Sequence, residues 1–219
     1  MYQALTTRHI VGRLTLSGLL ALAGIAGPIL LLTADVLAAR SASSNNYFLI
    51  RDSISILAWM PMGWIQTIGF LAIGLLVEVF TAGLFLGIKG GRSFGFGIVL
   101  LVCFGFGLLL IGAFHTDVPG RPSTIDGTIH EAVANTVFWL LPVASLLIAP
   151  SLKKDTYWRP LFTYSIATAL VTLVWIFIYK IWLPADLGWF GLYERILVVA
   201  EVLWVEVMAI WLLRLSLRE

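Results

Sequence analysis

Between Phe114 and Glu131 one short stretch holds two imidazoles and three carboxylates: His115, Asp117, Asp126, His130 and Glu131. These groups can bind a divalent metal or move protons, since zinc accepts imidazole nitrogen and carboxylate oxygen and activates a bound water. A metal centre built here would use His115, Asp117 and His130, with Glu131 as base. The spacing fits no compact helical metal motif, because the histidines do not stand three or four positions apart. A second chemistry is nucleophilic: Ser53 or Ser55 as nucleophile, a histidine of this stretch as base, and Asp117 or Asp52 as the acid that orients it. The plainer reading makes the serines helix caps and the stretch a wet loop, with His130 and Glu131 in the first turn of a helix whose dipole favours a carboxylate. A binding pocket without chemistry would draw on Asp52, Ser55, His115 and Glu131.

Three further acids, Glu78, Glu201 and Glu206, fall inside long apolar runs. A carboxylate at membrane depth costs several kcal/mol unless it is paired, protonated or facing a polar cavity. Lys180 and Glu201 lie at matching depth near the ends of consecutive runs and are expected to form a structural ion pair. Glu78 and Glu206 have no cation in register, which leaves hydrogen bonds, protonation or a polar pathway such as a proton-coupled transporter uses.

The elements that must position these groups follow from composition. Of 219 residues, 60% are hydrophobic and 12% charged, with a mean hydropathy of +0.97. That charged share is about half of what a soluble domain carries, too little to cover its own surface. The apolar runs are instead long enough for about 20 residues per bilayer crossing. The spacing predicts an all-α integral membrane protein, a single domain over 1–219 with spans at 14–37, 63–88, 94–114, 128–149, 161–183 and 195–215. The first run is too long for the apolar core of a signal peptide and is read as the first membrane helix, with a kink near Pro28. Residues 47–61 read as a short amphipathic helix lying at the interface between the first two spans. Pro61, Pro150 and Pro160 are expected to end or separate helices. Gly97, Gly105 and Gly112, with Gly83 and Gly87, predict close helix packing.

Lys89, Arg92, Lys153, Lys154, Arg159 and the terminal arginines fall on one side of this arrangement, and Arg40, Arg51, Arg121, Lys180 and Arg195 on the other. The positive-inside rule then puts both termini in the cytoplasm and the polar stretch 115–127 on the outer face. The basic residues are scattered singly or in pairs, a topogenic pattern that excludes nucleic-acid binding. Cys103 has no partner within the chain, so no disulfide framework exists.

Three short motifs carry a resemblance: Asp52-Ser53-Ile54-Ser55-Ile56-Leu57, Gly112-Ala113-Phe114-His115-Thr116-Asp117 and Gly127-Thr128-Ile129-His130. With the six apolar runs, they make the chain similar to the domain of unknown function 998 family of polytopic membrane proteins over roughly residues 14–215. His115 stands where that family often has proline, whereas Asp117 and His130 match it. The resemblance implies a six-helix fold with an outward-facing polar cluster, and it implies no activity and no cofactor. The sequence therefore favours a protein of the cell membrane, compatible with a bacterial cytoplasmic membrane, that binds a lipid or other amphipathic ligand or serves as an accessory subunit among other membrane subunits. A hydrolase at the outer leaflet is the alternative, and a proton-coupled transporter the third.

Overall fold

The computed structural model describes the backbone of residues 2–182 and 188–217, and the side chains of residues 16–179 and 188–217. Six long helices make up the fold: α1 Tyr2–Ala42, α2 Trp64–Gly87, α3 Arg92–Ala113, α4 Ile125–Lys154, α5 Leu161–Trp182 and α6 Phe190–Ser216. No strand occurs among the described residues. All six are long and apolar enough to cross a membrane, and the chain is a multi-pass membrane protein. In a bilayer only helices that satisfy their own backbone can span, which is why uncharged runs of this length fold this way.

Each helix packs against its neighbour in the chain, and α6 returns to α1, so the six close into a ring. Phe80, Phe104, Leu141, Ile148 and Trp204 fill its interior, all less than 2% exposed. Leu19, Leu75, Phe85, Phe96 and Val171 point outward, as side chains facing lipid do. The closest approach of α2 and α3 is at Gly74 and Gly105, where a Cβ on Gly74 would stand 2.8 Å from the Gly105 carbonyl oxygen. Gly112 also faces α2, through Leu71, but Gly97 faces Ile148 of α4, so the expected small-residue face is divided between two neighbours. Gly83 and Gly87 both pack on Leu212 of α6.

Two expectations need correction. Pro150 does not end α4, which continues to Lys154. A membrane helix tolerates proline where side chains and neighbours take up the freed carbonyls. α4 also begins three residues earlier than expected, because Thr124 caps it by accepting the Gly127 N–H at 3.0 Å. The segment between α1 and α2 carries the short helix expected there, with Phe48, Leu49, Ile50 and Trp59 exposed along it. It forms two short 3-10 turns, Ser43–Asn45 and Ser55–Trp59, and Ser55, Ile56 and Leu57 are buried against the end of the bundle. Its hydrophobic pattern thus has two sides, one inserted into protein and one left outward.

α6 is what draws that segment inward. Glu194 accepts the Ile54 N–H at 2.6 Å, and Arg195 donates to the carbonyl oxygens of Leu49 at 2.7 Å and Asp52 at 3.1 Å. The Arg195 guanidinium also forms a forked ion pair with Asp35 of α1, at 3.0 and 3.2 Å, and donates to the Tyr47 hydroxyl. Planar double donation to a carboxylate is the strongest use of arginine, and here it joins α1, α6 and the connecting segment at one point.

Candidate functional site

Ser55 opens the second 3-10 turn, and its hydroxyl oxygen lies 3.0 Å from Nε2 of His130, on the second turn of α4. The other ring nitrogen, Nδ1, lies 2.7 Å from the Phe114 carbonyl oxygen at the end of α3. A carbonyl oxygen only accepts, so Nδ1 carries the proton in the neutral ring. Nε2 is then the bare nitrogen, and the Ser55 hydroxyl donates to it. This is the contact of a hydroxyl nucleophile with a general base, the base fixed in tautomer and orientation by a third group. The third group here is a backbone carbonyl. Ser55 is 9% exposed and His130 6%, so both sit beneath the surface of the bundle.

Asp117 does not orient His130. Its carboxylate accepts from the Thr124 hydroxyl at 2.7 Å, the Thr124 N–H at 3.2 Å and the Ser123 hydroxyl at 3.1 Å, closing the α3–α4 connection over the start of α4. Gly127 leaves room for it: a Cβ there would stand 2.1 Å from the carboxyl carbon. The Thr124 hydroxyl, opposed by desolvation and helped by the Thr124 amide and Ser123, holds the Asp117 carboxyl below its usual range. A folded-state value depressed in this way contributes stability that is present above the unfolded carboxylate range and lost as pH falls through the folded value. Acidification through that lower range should therefore loosen residues 115–127 before the bundle melts. Hydrogen exchange at Thr124 and Gly127 should report this, and Asp117→Asn should show fast exchange there already at neutral pH. Unchanged protection in the variant would refute the capping role.

The other residues singled out in the sequence take separate positions. His115 pairs with the Thr67 hydroxyl at 3.2 Å and meets the Trp59 ring edge-on at 5.5 Å between centroids. The expected trio of His115, Asp117 and His130 is thus engaged with three different sets of partners. Among the described residues no three His, Cys, Asp or Glu side chains gather as a ligand set. Asp52 accepts the Phe48 N–H at 2.7 Å and pairs with Arg51 at 2.7 Å. Partial burial pushes its carboxyl up, but the Arg51 and Phe48 hydrogen bonds outweigh it and leave the group below its usual range. Ser53 accepts the Ile56 N–H at 3.3 Å, a cap within its own turn. Glu78 is half-buried against Gly105 of α3, and Glu206 is half-buried near Tyr164 of α5. Neither lines the cavities described below. Glu201 is 2% exposed, and one of its carboxyl oxygens has no partner among the described residues. The Lys180 side chain expected to pair with it lies outside the described residues.

Beside the Ser55–His130 pair a cavity of about 460 Å³ opens toward the end of the bundle. Its wall is polar at Ser53, Ser55, Thr116, Asp117, His130, Glu131 and Glu194, and apolar or aromatic at Phe138, Trp139, Ile176, Tyr179, Phe190 and Tyr193. Tyr179 and Tyr193 stack with ring centroids 3.9 Å apart, which stiffens that wall. The volume lies within the usual range for small-molecule sites, about 300–1,000 Å³. The family model described as protein of unknown function (DUF998) matches residues 12–211, nearly the whole chain. The chain belongs to this family. No curated protein and no solved structure matches it. In this DUF998 protein the three motifs that carried the resemblance are brought together: the first supplies Ser55, the second the Phe114 carbonyl and the third His130.

Sequence reasoning missed Glu194, Arg195, Asp35 and Tyr47 as a positioning group. The adjacency of Glu194 and Arg195 at the start of an apolar run was the available signal, since a topogenic arginine needs no acid beside it. Tyr47 also donates to the Ser53 carbonyl oxygen at 3.1 Å, and burial pushes its phenol up to about 12, so it stays a neutral donor at any working pH.

Proposed function

We propose that this protein is a serine hydrolase of amphipathic esters working at the outer membrane face, with Ser55 as nucleophile and His130 as general base. The observation that carries the reading is the 3.0 Å contact between the Ser55 hydroxyl and Nε2 of a histidine whose Nδ1 proton is held by the Phe114 carbonyl. The cavity beside the pair supports the substrate class, because a lining that combines polar side chains with apolar and aromatic ones suits a molecule with a polar head and an apolar tail. In the reaction Ser55 Oγ attacks the ester carbonyl carbon while its proton passes to His130 Nε2. The same proton then goes to the departing alcohol oxygen as the carbon–oxygen bond breaks and the acyl group stays on Ser55. Water, deprotonated by His130, releases the acid and restores the serine. The Phe114 carbonyl keeps the Nδ1–H in place and stabilises the imidazolium, with less electrostatic benefit than a carboxylate would give.

The test uses the purified protein in lipid nanodiscs and a long-chain alkyl fluorophosphonate, which phosphonylates activated serines. A covalent adduct on Ser55, found by mass spectrometry and absent from Ser55→Ala, is the expected result. A folded protein that stays unmodified at Ser55 would overturn the proposal. The burial of Ser55 and His130 favours a second reading, in which the pair clamps the 3-10 turn to α4 and the cavity binds an amphiphile without turning it over. That reading expects a fluorescent alkyl amphiphile to bind in competition with lipid while Ser55 remains unmodified.

A further inference from the structure

Next to Ser55, and sharing Ala134, Phe138 and Glu194 with the larger cavity, lies a small cavity with about 20 Å³ of room for a water's centre. A water needs roughly 10–15 Å³ by this measure, together with two to four polar partners. Three polar side chains line the space, Ser55, Glu194 and Glu201, and the rest of the lining is apolar, including Phe104 and Phe138. Glu201 is 2% exposed, and its Oε1 meets no donor or acceptor among the described residues. An ionised carboxylate so deep, without a cation, would bear a desolvation cost of several kcal/mol. A buried carboxylic acid left without hydrogen bonds would also be costly, though less so.

We propose that this cavity is a binding site for one water, bridging Glu201 to Ser55 and Glu194, and that Glu201 holds a proton as the neutral acid. The groups around Glu201 are consistent with this. α1, α2, α3 and α4 present only apolar side chains to the cavity, the turn before α2 presents Ser55, and α6 itself presents Glu194, with Tyr193 nearby. Glu194 is itself an acid that accepts the Ile54 N–H, and the nearby cation Arg195 is engaged with Asp35, so neither offers Glu201 a positive charge. On α5, Tyr164 is turned to the Leu203 carbonyl. Lys180, whose side chain lies outside the described residues, is the competing partner. Glutamine copies the shape and hydrogen bonding of a neutral acid, so Glu201→Gln should fold normally.

The test is the infrared difference spectrum of wild type minus Glu201→Gln, reconstituted in lipid at neutral pH, together with a high-resolution density map. The expected difference contains a carboxylic-acid carbonyl band, which persists in Lys180→Gln, and the map shows a water within hydrogen-bonding distance of Glu201. A difference containing only carboxylate bands overturns the proposal and is what an ion pair with Lys180 would give. An acid band with a dry cavity overturns it as well. Neither readout depends on hydrolysis, so the result stands apart from the fate of the hydrolase reading.

Discussion

His130→Ala should lower the rate of fluorophosphonate modification at Ser55 by at least about 100-fold while leaving the protein folded, the loss typical of removing a positioned general base. His130→Gln is the sharper variant, because an amide can still bond to the Ser55 hydroxyl but cannot accept its proton at neutral pH. If His130 served only to hold the 3-10 turn in place, His130→Gln would keep most of the labelling that His130→Ala loses. If it acts as the base, both variants fall together. The pH profile offers an independent readout, since wild-type labelling should decline as the imidazole takes up a proton, and the weak residual rate of His130→Gln should not follow that curve. A decline shared by both proteins would remove the histidine from the chemistry.

Arg195→Met should be the most damaging single change to the fold, costing about 3–5 kcal/mol, the usual loss when one member of a buried ion pair is removed. The Arg195 and Asp35 side chains are only 15% and 14% exposed, so solvent screens the pair little. The substitution leaves Asp35 as an unpaired charge and strips donors from Tyr47 and from the carbonyls of Leu49, Asp52 and Gly191. At about 2–4 °C per kcal/mol for a chain of this size, the thermal midpoint should fall by roughly 10 °C. Removing both charges, as Asp35→Leu with Arg195→Met, should recover part of the loss, because the stranded charge is gone. A double variant no better than the single one would show that the carbonyl contacts, not the ion pair, carry the stability. Ser55 labelling should weaken in Arg195→Met as well, but less than in His130→Ala, since arginine positions the turn and takes no part in proton transfer.

The six spans were legible because each is a physical necessity of one stretch of sequence: a run with no charge and no way to hide from water has to cross the bilayer. What was not legible lay in long-range geometry. Ser55 and His130 are 75 positions apart, and nothing local in either motif says that the second 3-10 turn faces the second turn of α4. Asp117 shows the opposite case. Its partners Ser123 and Thr124 lie six and seven residues on, yet it was given to a metal or to His130 because clustered acids and imidazoles suggest chemistry before they suggest a cap. Arg195 was counted only as a charge that sets topology, although a guanidinium at the start of an apolar helix can also tie down the chain around it. In residues 47–61 the short helix was legible but not its burial, because a short alternation of apolar and polar residues looks the same whether an apolar side chain meets lipid or protein.

α4 is 30 residues long, about 45 Å from end to end, which matches a bilayer measured from headgroup to headgroup more closely than its hydrocarbon core alone. His130 comes five residues after the helix begins, roughly 7 Å along its axis. On the hydrolase reading, with Asp126 and Lys154 taken to the two headgroup layers, that offset would set the histidine at the level where the acyl linkages of a glycerolipid meet its polar head. A lipid standing in its own leaflet would present its ester at that height without being lifted into water, and molecules whose cleavable bond lies higher or lower would pass the same histidine out of register. Selection would then be made by a vertical ruler rather than by the shape of the head.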